Sequence, residues 1–152
     1  MKRLSLIIFL LICHVMGAQS LKEFRALIKQ SEKSEKASKS LIEKSTAAYV
    51  ETKEPIYGGF MAVGNFFMAK HTFNPIKKIS YFNQGKRTLE NAVKAEPHNI
   101  EIRLMRLITQ ENIPNILGYH QHIKEDRAFI RKEYQKIEDR DLKNFVIDYL
   151  KL

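Results

Sequence analysis

Fourteen consecutive uncharged residues, Ile56 to Ala69, constrain this chain more than any other segment. A membrane-spanning helix needs about 20 apolar residues, so the run reads as a buried central helix around which the rest must pack. Within it Gly58, Ala62, Asn65 and Ala69 recur at helical spacing. They form a small face that lets a neighbouring helix approach closely. Phe60, Val63 and Phe67 form the bulky face beside it.

The flanking segments carry the same periodicity. Leu21, Phe24, Leu27 and Ile28 mark a helix over residues 20–33. Residues 31–46 look like low complexity, yet Glu32 precedes Lys36 by four and Glu35 precedes Lys39 by four. Those pairs support a solvated helix face, on which the serines from Ser31 to Ser45 read as exposed. Ala37, Leu41, Ile42, Ala48 and Tyr49 supply the buried side, with a break near Ser34 or one long bent helix. Asn74 caps the next helix and Pro75 fits its first turn. Its stripe is Ile76, Ile79, Phe82, Leu89 and Val93, ended by Pro97. Asn99 or His98 opens a helix with Leu104, Leu107 and Ile108 on its apolar face, closed by Pro114. After Gly118, Tyr119, Ile123, Ile130 and Tyr134 share a face; Asp139 then caps a last helix with Leu142, Phe145, Val146, Tyr149 and Leu150. The expected fold is all-α, about seven helices joined by short connections as antiparallel hairpins. No strand pattern of real length occurs, and six glycines and four prolines are few for an all-β chain.

The start of the chain reads differently. Lys2 and Arg3 are followed by an apolar run from Leu4 to Ile12 and by small residues Gly17, Ala18 and Ser20. That is the layout of a secretory signal peptide, assigned to residues 1–19 with cleavage near Ala18. Residues 20–152 then form a single helical domain, exported to the periplasm or secreted. Cys13 is the only cysteine. Ile12 before it disfavours lipidation, so the mature chain is expected to hold no thiol, no disulfide and no cysteine nucleophile. The net charge of +9, about +7 after cleavage, favours anionic partners. Nucleic acid is not expected for an exported protein, nor is a stable membrane span.

The segment from Tyr81 to Asn99 resembles the second helix of a tetratricopeptide-type repeat. Gly85, Leu89, Ala92 and Pro97 occupy the small, large, alanine and terminal proline places of that pattern. The preceding helix departs from it, lacking the usual large residue at its start. The resemblance implies a tetratricopeptide-like right-handed array. The last two-thirds of the chain is also similar to a group of small exported helical proteins of unknown function. The segments that carry this are "AVGNFFMAKHTFNPIKK", "YFNQGKRTLENAV", "EIRLMRLITQENIP" and "LGYHQHIKEDRAFI". That likeness implies export and an all-helical fold, and brings no activity or ligand with it.

Catalytic chemistry is hard to place. Nucleophilic catalysis needs a nucleophile, base and orienting group, and no G-x-S-x-G, H-E-x-x-H or phosphate-cradling glycine loop is present. His120 and His122 are two apart and diverge on a helix; His122 and Asp126 share a face, but two ligands do not make a metal site. No catalytic residue, metal or cofactor is therefore assigned. The residues that stand out are Arg103, Arg106 and Gln110, a polar stripe on a helix that otherwise reads as core. Asp126 interrupts the apolar stripe of a neighbouring helix, and Glu90 follows Leu89. A buried charge needs a partner, so either arginine is expected to pair with Asp126 or Glu90 and lock helix packing. The alternative sets the arginines in a groove, where planar guanidinium groups hold a carboxylate or phosphate. Arg103, Arg106, Gln110, His71 and Tyr81 are the candidate binding residues. Two functions remain open at this point. One is an exported binding or scaffold module for a protein or peptide, with an anionic one favoured by the charge. The other is a small envelope enzyme or small-ligand binder with a polar pocket near Arg103 and Arg106. Oligomeric state is not legible.

Overall fold

A computed structural model describes residues 21–152. Within them lie seven α-helices and no strand: α1 (21–31), α2 (Glu35–Thr52), α3 (Pro55–His71), α4 (Pro75–Ala95), α5 (Ile100–Asn112), α6 (Ile123–Glu133) and α7 (Arg140–Leu150). Short 3-10 turns at Asn115–Leu117 and Tyr134–Lys136 join the later helices. Neighbouring helices pack as antiparallel pairs. The expected leader, its expected cleavage near Ala18 and Cys13 lie outside the described residues.

Each boundary has a local cause. The Ser34 hydroxyl accepts from the Ala37 N–H, so residues 31–46 divide into two helices at Ser34. Lys53, at φ 60°, ends α2 in the left-handed region, where its N–H reaches the Tyr49 carbonyl. Only Thr72, Phe73 and Asn74 separate α3 from α4, and the Asn74 carboxamide accepts from the N–H groups of Ile76 and Lys77. Asn99 caps α5 through Ile102, and Asp139 caps α7 through Asp141 and Leu142.

α3 is the centre, packed against α2, α4 and α5. The main core joins Phe24, Leu41, Phe60, Leu89, Ile102 and Met105. A second core joins Leu104, Leu107, Ile130, Ile137, Val146 and Leu150, so α5 serves both. A third, smaller cluster holds Ala69, Phe82 and Tyr119. The small face of α3 is where α4 comes close. A methyl group on Gly58 would meet the Ala92 side chain at 3.6 Å, and one on Gly85 would stand 3.1 Å from the Ala62 carbonyl. Ala62 is fully buried there. Ala62→Leu should overpack the α3–α4 contact and cost about 1–3 kcal/mol. An unfolding midpoint in urea equal to the parent's would show that the contact yields without strain.

Several expectations from the sequence need correction. Tyr49 and Phe145, placed with the apolar faces of α2 and α7, are 39% and 44% exposed, at the outer edge of those faces. Ser31, Ser38 and Ser45 are fully buried rather than solvated. They recur every seven residues, and the Ser38 and Ser45 hydroxyls donate to the carbonyls of Ser34 and Leu41 one turn back. Small residues there let α2 approach Gly64, where an added methyl would lie 3.4 Å from the Ser38 carbonyl. Ile76 and Ile79 are not core: they are 82% and 49% exposed, because the first turns of α4 overhang the body. Tyr119 does not share a helix face with Ile123, and His120 and His122 are not on a helix, since α6 begins only at Ile123. Tyr119 instead packs against Phe66 and Phe82.

Candidate functional site

Arg103 and Arg106 stand one turn apart on α5, which puts both side chains on the same side. The Asp126 carboxylate, in the first turn of α6, meets them there. Arg103 Nε donates to Asp126 Oδ1 at 2.7 Å. Arg106 holds the same carboxylate with two bonds, Nε to Oδ2 at 2.7 Å and Nη2 to Oδ1 at 2.8 Å. The remaining guanidinium nitrogens are also engaged. Arg103 Nη2 reaches Glu125 Oε1 at 2.6 Å and Nη1 the Pro97 carbonyl at 3.2 Å. Arg106 Nη1 reaches Glu90 Oε2 at 2.9 Å, and the Tyr119 hydroxyl donates to the other oxygen of Glu90 at 2.6 Å. The Arg103 guanidinium also lies 4.3 Å from the centre of the Phe129 ring.

The cluster therefore holds two guanidinium groups and three carboxylates. Asp126 is completely buried and both arginines nearly so. A charge removed from water this thoroughly is tolerable only when paired and hydrogen-bonded, and Asp126 accepts three bonds. Burial opposes the charge on Arg106, but Asp126 and Glu90 outweigh it and push the guanidinium above its ordinary range. Burial, then the bond to Glu90, raises the Tyr119 hydroxyl, which stays a neutral donor. The bond with His122 and the nearby Arg103 hold the Glu125 carboxyl below the usual range against the effect of burial. Chemically, this arrangement locks α4, α5 and α6 in one register.

Gln110 sits beside this network, fully buried. Its Oε1 accepts from the His122 N–H at 2.9 Å, holding the start of α6, while its Nε2 has no partner among the described residues. His71 and Tyr81 lie elsewhere. They meet in an open cleft of about 270 Å³ where α2, α3 and α4 come together, with Glu35, Lys39, Met68, Thr72, Phe73 and Lys77. His71 is anchored there, its Nε2 2.7 Å from the Ser31 carbonyl. Lys39 pairs with Glu35 at 2.7 Å. The five candidate binding residues thus fall into two places, three in the ionic core and two at the cleft.

Sequence reasoning missed several partners. Glu125 adjoins Asp126 and was legible as a first-turn carboxylate. Tyr119 gave no signal, because the chain bends before α6. A second clamp escaped altogether: Arg25 donates to Glu101 at 2.7 and 2.8 Å and to Asp139 at 2.8 Å. The bonds to Glu101 and then Asp139 raise the Arg25 guanidinium above its usual range despite burial. Among the described residues no group of three or more His, Cys, Asp or Glu could hold a metal ion, and no helix is long and apolar enough to cross a membrane. Comparison with protein-family models, characterised proteins and solved structures gives no match for this chain.

Proposed function

We propose that the protein is an exported helical binding or scaffold module that engages a protein or peptide partner in the cell envelope. Its helical hairpins form a tetratricopeptide-like array, in keeping with the resemblance of the α4 segment. The observation that carries this reading is the internal commitment of Arg103 and Arg106. Each of their nitrogens already donates to Asp126, Glu90, Glu125 or a backbone carbonyl and both side chains are nearly buried, so neither arginine presents an exposed fork to a small anionic substrate. Recognition then falls to the open cleft at His71 and Tyr81. Its volume of about 270 Å³ lies at the lower edge of small-molecule pockets and suits one inserted side chain of a partner.

The test is a paired capture experiment. Immobilised protein and a His71→Ala/Tyr81→Ser variant are exposed to the same envelope extract. The expected result is a protein held by the parent and released from the variant, with the two unfolding midpoints compared as a folding control. Equal retention by both, or an enzymatic turnover lost on Arg106→Met in a folded variant, would overturn the reading.

A further inference from the structure

The overhanging start of α4 has a chemistry of its own. Phe73 is 100% exposed, followed by Ile76 at 82% and Ile79 at 49%. On the helix, Ile76 lies one turn before Ile79 and Ile79 one turn before Phe82, so the two isoleucines extend the apolar stripe beyond the part that other helices cover. All residues from Phe73 to Ser80 are exposed; Phe73 and Lys77 also border the cleft at His71 and Tyr81, while Ile76 and Ile79 stand outside it. Charge along this stretch of the chain has one sign. Residues 55–89 contain Lys70, Lys77, Lys78, Lys86 and Arg87 and no Asp or Glu. Lys70, Lys77 and Lys78 make no ion pair among the described residues; the nearby Glu35 pairs with Lys39. The N-terminal end of α4 adds its own partial positive charge.

We infer that this tip docks on the surface of an anionic lipid bilayer, with Phe73, Ile76 and Ile79 entering the boundary between headgroups and acyl chains and Lys70, Lys77 and Lys78 meeting lipid phosphates. Three projecting apolar side chains fringed by lysines match what an interfacial contact uses, bulk on one side and positive charge beside it. An anionic leaflet attracts such lysines within about a Debye length of its surface. The inference goes beyond the binding-module reading; Phe73 and Lys77 border the same cleft, but the experiment reads partitioning onto lipid and leaves His71 and Tyr81 untouched.

The chain contains no tryptophan, so Phe73→Trp places a single reporter at the tip. The protein is used in the form isolated from the cells that make it. With vesicles containing phosphatidylglycerol, the fluorescence should shift to the blue and be quenched by brominated acyl chains. With phosphatidylcholine alone it should not, and added salt should weaken the effect. In sedimentation with the anionic vesicles, Phe73→Ser/Ile76→Ser/Ile79→Ser should reduce partitioning about tenfold or more. Lys77→Gln/Lys78→Gln should reduce it and flatten the salt dependence. All five positions are exposed, so these variants should keep the parent's unfolding midpoint. A reporter that stays water-like with anionic vesicles, or partitioning unchanged in the triple variant, overturns the inference. A blue shift that grows with protein concentration without vesicles also overturns it, marking the tip as a contact between copies of the chain.

Discussion

Asp126→Leu should destabilise the protein by about 3–5 kcal/mol, because it strands two nearly buried guanidinium groups that share one carboxylate. Arg103 would keep Glu125 and Arg106 would keep Glu90, but both of those carboxylates reach toward solvent. Arg106→Met alone should also be costly, since Asp126 loses two of its three bonds. The double change Arg106→Met/Asp126→Leu removes both members and should cost less than the sum of the single changes. Urea unfolding of the parent, the two single variants and the double variant measures the coupling. Strict additivity would mean that the pair does not act as a unit.

Phe60→Ala should be comparably damaging, at about 3–5 kcal/mol. Phe60 is fully buried in the middle of α3 and stacks on Phe24 at a centroid distance of 5.1 Å. Truncation removes the transfer energy of the ring and leaves a void between α1 and α3. Surrounding helices cannot collapse into it freely, because Gly59 already faces the Met105 sulfur, which would stand 2.9 Å from an added methyl. Thermal unfolding compared with Phe67→Ala, at a partly buried position, checks the argument. An equal loss at the two sites would show that Phe60 holds no special place in the core.

Much of this architecture was legible in the residues. Fourteen uncharged residues flanked by a proline and a lysine identify α3, and Asn74, Asn99 and Asp139 stand at helix starts where their side chains cap. The ionic core was legible in outline, because Asp126 interrupts an apolar stripe and a buried carboxylate demands a cation. What the pattern did not carry was where a helix stops being covered. Ile76 and Ile79 continue the periodicity of Phe82, but periodicity does not say how far α4 extends beyond α3. Nor did it distinguish a serine in a tight helix contact from one in water, as Ser38 and Ser45 show. The cleft at His71 and Tyr81 depends on how three helices converge, and no local spacing encodes that.

Arg25 has a consequence for how the protein opens. In a chain of helical hairpins most contacts are between sequence neighbours, and each hairpin can come apart by itself. Arg25 joins α1 to Glu101 in α5 and to the capping residue of α7, across 76 and 114 positions of sequence. Release of the last helix would therefore take one of the three bonds of Arg25 and leave it on Glu101 alone, so opening at one end weakens the hold on the other. Lys22 adds a second tie, to Asp141 in α7, so amide protection in α1 and α7 is expected to rise and fall together, unlike that of a stack with independent ends.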